Sequence, residues 1–261
     1  MEPIFSRDKS FWVPTHHTIG PANESAQHGG ALAGVLLCAI YEKAEELGAG
    51  QCMMVTVAQM RPAPIEPALI PVTILRQGKR TTYLRSEVSY SGKLTGIATA
   101  LFSQPMDLPG LPAISAQQQD PGQAPMVEIQ GTVHDAPYNR ALDMRIEPDG
   151  TYWFRFQRPF ATGAPRVAEF IALADNATGA TYYTQPPVSQ AEKDVIYLST
   201  DLTVHFSRPP DGAWVGFRAK RHWFDSGLGL VEAELLDARG ELGRVAQSIA
   251  VISKENWANP I

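Results

Sequence analysis

Residues 195–208, VIYLSTDLTVHFSR, read as a strand that runs into Arg208-Pro209. Residues 51–61, QCMMVTVAQMR, read the same way and run into Arg61-Pro62, 147 residues earlier. The match extends outward on both sides. YSGKLTGIATALF (90–102) aligns with DARGELGRVAQSIAV (237–251), placing Gly92 on Gly240 at an offset of 148. One insertion among the strands accounts for the drift of a single residue. Upstream, the offset of 147 carries Asp175 of LADNATG (173–179) onto His28 of the first half. Any one match could be chance. The order helix, strand, Arg-Pro, hairpin, strand, held at one offset, marks an internal duplication.

The unit that is duplicated is legible in the first half. Residues 29–46, GGALAGVLLCAIYEKAEE, read as a helix, with Leu32, Val35, Leu36, Ala39 and Ile40 at three- and four-residue spacing. Its other side is small (Ala33, Gly34) until Glu42. A helix apolar over most of its first three turns is normally enclosed by protein. Gly48 and Gly50 end it. Four strand-like runs follow: 51–60, 68–77, 81–90 and 94–104, with a hairpin signal at Ser91-Gly92. One helix followed by antiparallel strands is an α+β pattern. Two such units bury their helices only if their sheets pair, so one continuous sheet is expected. The boundaries read as 1–103 for the first repeat, 104–125 for a linker of Pro, Gly and Gln, and 126–261 for the second repeat.

Composition excludes several classes. The chain has 261 residues, 22 Lys and Arg, 27 Asp and Glu, and a formal charge of −5. Hydrophobic residues make up 44 %, enough for a core. Charged residues make up 19 %, against about 25 % in an average domain. That deficit fits surface lost to a half–half interface. The mild acidity and the absence of like-charge runs argue against nucleic acid as a partner. Cys38 and Cys52 fit no redox or zinc spacing and read as buried thiols. No secretory signal is visible at the N-terminus, and the longest apolar run, 30–41, is short of the roughly 20 residues that cross a bilayer. The expectation is a soluble, cytoplasmic protein with no membrane partner.

The combination of Gln27-His28-Gly29-Gly30, Arg61-Pro62, ILRQGKR (74–80), LADNATG (173–179), LSTDLTVHFSRPP (198–210) and GRVAQS (243–248) resembles the acyl-CoA thioesterase II family of double hotdog proteins. The resemblance covers nearly the whole chain apart from the linker and the first ten or so residues. It implies a helix wrapped by a curved antiparallel sheet in each half. It also implies hydrolysis of an acyl-CoA to free acid and CoA, no cofactor, and a homo-oligomer of double hotdog protomers. The family's catalytic Asp, hydroxyl and Gln fall on Asp175, on Ser199 or Thr200, and on Gln247. Strand alternation groups Ser199 with Asp201, Thr203 and His205, and Thr200 with the core-facing Leu202, Val204 and Phe206, which favours Ser199.

These residue types suit the chemistry. A carboxylate steadied by an amide and a hydroxyl can orient and deprotonate one water. Backbone N–H groups of Asn176, Ala177 and Thr178, in a helix's first turn, can stabilise the oxyanion. Asp175 could equally be a helix N-cap, and Gln247 a satisfied polar group on a strand. His28-Gly29-Gly30 resembles the segment that lends an amide to the carbonyl in single-hotdog thioesterases. No carboxylate follows on that helix before Glu42, so the first half reads as chemically silent and His28 as structural or pocket-lining. His16 and His17 are adjacent and suggest no metal site. Basic residues at 76–85, with Arg218, Lys220 and Arg221, are candidates for the phosphates of CoA or simply a solvated face. The Asp-x-Asn-Pro-x-His run of enoyl-CoA hydratases is missing its Pro and His here. No GxSxG or Walker A run is present. A non-catalytic acyl-CoA binding or sensing module stays open as the non-enzyme alternative.

Overall fold

Every residue from Gly30 to Ile40 is buried, so the helix read from the sequence is enclosed on all sides. This helix, α1 (Gly29–Glu46), is capped by His28, whose Nδ1 accepts the Gly30 N–H at 2.9 Å. It stops where Gly48 turns to φ +58°. The computed structural model describes residues 1–110, 120–126, 135–184 and 189–255; the middle of the predicted linker 104–125 lies outside the described residues.

The strands are β1 (Phe5–Asp8), β2 (Phe11–Pro14), β3 (Gln51–Gln59), β4 (Val72–Gln77), β5 (Thr81–Tyr90), β6 (Lys93–Ser103), β7 (Leu142–Ile146), β8 (Tyr152–Phe156), β9 (Val195–Ser199), β10 (Asp201–Phe206), β11 (Val215–Trp223), β12 (Leu228–Asp237) and β13 (Gly240–Ser253). The remaining α-helices are α2 (Pro137–Arg140), α3 (Arg166–Ala174), α4 (Ala177–Thr184) and α5 (Gln190–Lys193). β1 and β2 form a hairpin of their own. The others form one 11-stranded sheet in the order β4-β5-β6-β3-β10-β13-β12-β11-β8-β7, with β9 also on β13. The order reads alike outward from its centre: β3, β6, β5, β4 on one side answer β10, β13, β12, β11 on the other.

The seam between the halves fixes the symmetry. β3 pairs antiparallel with β10, Thr56 opposite Thr203, and their hydroxyls meet at 3.3 Å. These residues are 147 apart, so each faces its own duplicate across a pseudo-twofold axis. The Arg-Pro motif is duplicated in its contacts too. Arg61 bonds the Leu94 carbonyl, and Arg208, 147 residues later, bonds the Glu241 carbonyl. Arg208 additionally holds the fully buried Asp237 in a two-pronged ion pair, with the Arg239 and Asp211 N–H groups also donating to that carboxylate.

The second half departs from the sequence reading in several elements, including the strand read at 195–208, which is split at Thr200 into β9 and β10. β7 and β8, unassigned there, extend the second half of the sheet. β8 buries Tyr152, Trp153 and Phe154 in succession because Trp153 packs outward against Trp214 and Leu236. The second-repeat helix is broken. α3 ends at Ala174, and α4 begins only at Ala177, because both the N–H and the side-chain amide of Asn176 fold back on the Leu173 carbonyl. α3 lies close against α1, where only glycine fits. A Cβ on Gly30 would stand 2.2 Å from the Ala172 carbonyl oxygen, and one on Gly34 would stand 2.5 Å from Phe160 Cζ.

Candidate active site

The break after Ala174 sets Asp175 at the C-terminal end of α3 with helical dihedrals, not at a helix start, so it is no N-cap. Its carboxylate instead turns into the seam. Gln247 sits on the middle of β13 and is fully buried. Its orientation is decided by Thr178. The Thr178 N–H, which can only donate, lies 3.2 Å from Oε1, and the Thr178 hydroxyl lies 2.9 Å from the same atom. Nε2 therefore faces the other way and donates to Asp175 Oδ1 at 3.2 Å and to Ser199 Oγ at 2.8 Å. Ser199 Oγ in turn donates to the Asp201 carbonyl at 3.2 Å.

Ser199 reaches this position through a register shift. Ser199 pairs with Ile249, yet Thr203 pairs with Ala246. Four steps on one strand match three on the other, which is a β-bulge at Thr200. The extra residue reverses the alternation, so Ser199 shares the inward face of Leu202 and Gln247. The Asp201 carboxylate closes the gap by accepting the Ser248 N–H at 2.7 Å. The sequence reading favoured Ser199 through strict alternation; alternation fails here, and the bulge is what points Ser199 inward. Thr200 turns outward, its hydroxyl 3.5 Å from the Ser248 carbonyl.

The first half supplies the opposite wall. His28, the duplicate of Asp175, lies across the axis from it, with Nδ1 3.6 Å from Asp175 Oδ2. That nitrogen already accepts the Gly30 N–H, so the ring proton is on Nε2. Burial pushes the His28 pKa down to about 4, and the contact is no ion pair near neutral pH. The ring stacks on Tyr138 at 4.0 Å, and Tyr138 is anchored through its hydroxyl to the Ala172 carbonyl. Gly29 presses on the carboxylate; a Cβ there would stand 2.8 Å from Asp175 Oδ2 and 2.3 Å from Gln59 Oε1.

Gln59, at the end of β3, was not among the residues read from the sequence. Its Nε2 donates to Asp175 Oδ1 at 3.1 Å. The signal lay in the duplication: the offset of 147 sets Gln59 against Phe206, a buried core residue, so an amide stands where the copy has an aromatic ring. Burial raises the Asp175 pKa from 3.8 to about 6, although the Gln59 amide and the Gly30 N–H pull it down. A carboxylate so placed is ionised at neutral pH and still basic.

The oxyanion expectation is narrowed, and the open choice for the basic residues falls to a solvated face. Of the amides expected to hold an oxyanion, Asn176 N–H is bonded to the Leu173 carbonyl and Thr178 N–H to Gln247. Ala177, between them, is fully buried at the start of α4. The basic residues do not converge either. Those at 76–85 lie on β4, β5 and the turn between them at one edge of the sheet, whereas Arg218, Lys220 and Arg221 lie on β11 toward the other. Arg218 is bound to Asp149 and Glu234, and Arg221 to Glu192. No group of three or more potential metal ligands occurs among the described residues, and no helix there is long and apolar enough to cross a membrane.

Among solved structures, a conserved protein of unknown function with hot dog fold from Alicyclobacillus acidocaldarius superposes with a TM-score of 0.71 at 19 % identity, covering 95 % of this chain and 96 % of that one. An acyl-CoA thioesterase II, TesB2, from Mycobacterium marinum gives 0.66 at 16 % identity, covering 95 % and 94 %. The dehydratase domain of PpsC from Mycobacterium tuberculosis, solved with C12:1-CoA, gives 0.52 at 13 % identity, covering 93 % and 88 %. Likeness at these identities establishes the hotdog fold and no more. No curated protein sequence matches the chain. Residues 18–103 match the acyl-CoA thioesterase N-terminal domain and residues 105–251 the C-terminal domain of the same family. Matched in both halves, over more than half of its length, the chain belongs to the acyl-CoA thioesterase family.

Proposed function

We propose that the protein hydrolyses an acyl-CoA thioester to the free acid and CoA, with Asp175 as general base. The observation that carries this reading is the Gln247 amide, held by Thr178 on one side and touching both the Asp175 carboxylate and the Ser199 hydroxyl on the other. One amide nitrogen within 3.2 Å of both groups brings the carboxylate and the hydroxyl to the same point. A water that donates one proton to the free lone pair of Ser199 Oγ and the other to Asp175 is oriented for attack on the thioester carbonyl, and gives that second proton to Asp175 as it attacks. Asp175 Oδ1 is occupied by the two glutamine amides, so Oδ2 is the oxygen that takes the proton. Ala177 N–H, at the start of α4, is the donor from that turn for the developing oxyanion. Of the segment expected to line the acyl group, Gly30 is packed against Ala172 and Tyr138 and Gly29 against Gln59 and Asp175, which leaves the half-buried His28 ring as the lining group. The substrate and products are small molecules; no metal or cofactor enters the scheme. In the Asp-initiated reaction the thiolate of CoA leaves as the tetrahedral intermediate collapses, and the proton on Asp175 is available to it.

The test is release of free thiol across a series of acyl chain lengths. Asp175→Asn should lower kcat by about 10²–10⁴-fold, the usual worth of a general base, with an unchanged circular dichroism spectrum. Ser199→Ala should cost about tenfold, and Thr200→Ala nothing measurable. Saturable acyl-CoA binding with no thiol release by the unmodified protein would instead make it a binding module.

A further inference from the structure

The Asp175 carboxylate is gripped from both halves of the molecule. One amide on Oδ1 comes from Gln247 of the second half at 3.2 Å, and the other comes from Gln59 of the first at 3.1 Å. Gln59 is itself fixed in place. Its backbone N–H bonds the Thr200 carbonyl at 2.9 Å, which carries the β3–β10 ladder one step beyond Asp201–Ala58 onto the bulged residue. The bulge that turns Ser199 inward therefore also anchors Gln59. Gly29 closes the other side, leaving no room for the Gln59 oxygen to move toward α1.

We propose that Gln59 is a positioning residue, which holds the rotamer of Asp175 across the half–half seam and keeps its carboxylate ionised. The proposal rests on Asp175 acting as the base. An amide N–H on a carboxylate favours the charged form, and so opposes the burial that drives Asp175 toward neutrality. The titratable groups facing Asp175 are few. His28 on the α1 cap is neutral, and the Tyr138 phenol on α2 is held protonated, its pKa raised by burial and by Asp175 itself. Gln59 and Gln247 carry no charge. With no cation facing it, the carboxylate depends on these neutral donors.

The experiment titrates the side-chain carboxyl carbon of Asp175 by NMR in the full chain, assigned by its loss in Asp175→Asn. Gln59→Met keeps length and shape and removes the donor; it should raise the Asp175 pKa by about one unit, the worth of one hydrogen bond to a charge. Gln59→Glu places a like charge beside Asp175 and should raise it further. The acid limb of kcat/KM should move by the same amounts, with activity recovered at higher pH. An Asp175 titration that coincides with the unmodified protein in either folded variant overturns the proposal. Absence of thiol release by the unmodified protein at every chain length would overturn the hydrolase reading, while the NMR titration would still decide the role of Gln59.

Discussion

At the scale of single residues, chemistry here depends on contacts that leave no spare room. Gly29 is the sharpest case. It stands at the first position of α1, directly after the His28 cap. Its missing side chain is where Gln59 and Asp175 approach. Gly29→Ala should therefore cost about 1–3 kcal/mol of stability and lower kcat by about 10²-fold, the cost of a carboxylate displaced by about an ångström. Thermal melting alongside a thiol-release assay checks both halves of that statement. The same logic explains why Ser199 and not Thr200 reaches Gln247: one inserted residue in β10's approach decides which hydroxyl turns inward.

At the scale of elements, close approach and the repeated Arg-Pro motif matter most. α3 can lie against α1 because Gly34 leaves space for Phe160 and Ala172, both fully buried. On helix propensity alone Gly34→Ala would stabilise by about 1 kcal/mol. The Phe160 ring has nowhere to go, so the sign should reverse and the variant should lose about 1–3 kcal/mol in urea denaturation. The duplicated arginines are expected to differ. Arg208 neutralises the buried Asp237, and Arg208→Ala should cost about 3–5 kcal/mol by leaving that charge unpaired. Arg61 is exposed and serves only a carbonyl, so Arg61→Ala should stay within roughly 0.5 kcal/mol. Paired urea melts of the two variants separate them.

At the scale of the whole molecule, the pseudo-twofold axis brings a buried carboxylate and its duplicate, a half-buried imidazole, together with opposite effects on stability. Asp175 titrates near 3.8 when unfolded and about 6 when folded, so the folded state binds the extra proton and stability falls with pH across that window. His28 titrates near 6.5 unfolded and about 4 folded, so the unfolded state binds the extra proton and stability rises with pH across that window. Between about pH 4 and 6 the two slopes oppose each other. Asp175→Asn removes the falling one. The stability difference between variant and unmodified protein should therefore grow in the variant's favour from pH 4 to pH 6, by roughly 1–3 kcal/mol, and level off above. Urea denaturation at several pH values measures it.

Much of this architecture is legible before any coordinates. α1 announces itself because an enclosed helix must be apolar all round, and the residues from Gly30 to Ile40 are. The duplication is legible because each copy must meet the same packing demand, and Thr56 on Thr203 is its structural expression. Asp175, Ser199 and Gln247 were readable through resemblance to a family. Their convergence was not, because it depends on a helix end 72 residues away and a strand 48 residues away being brought to one amide. The bulge at Thr200 escaped notice because alternation carries no mark of an inserted residue. β7 and β8 escaped because Trp153 buries its outward face against Trp214, which masks the two-residue period. Gln59 escaped because its role exists only across the seam. The repeat, the buried helix and the α+β class are thus written in the chain, since they follow from local hydrophobic periodicity repeated at one offset. Which polar groups share the axis is settled by folding alone, since hydrogen bonds between distant elements depend on register, and a shift of one residue turns a side chain to the opposite face.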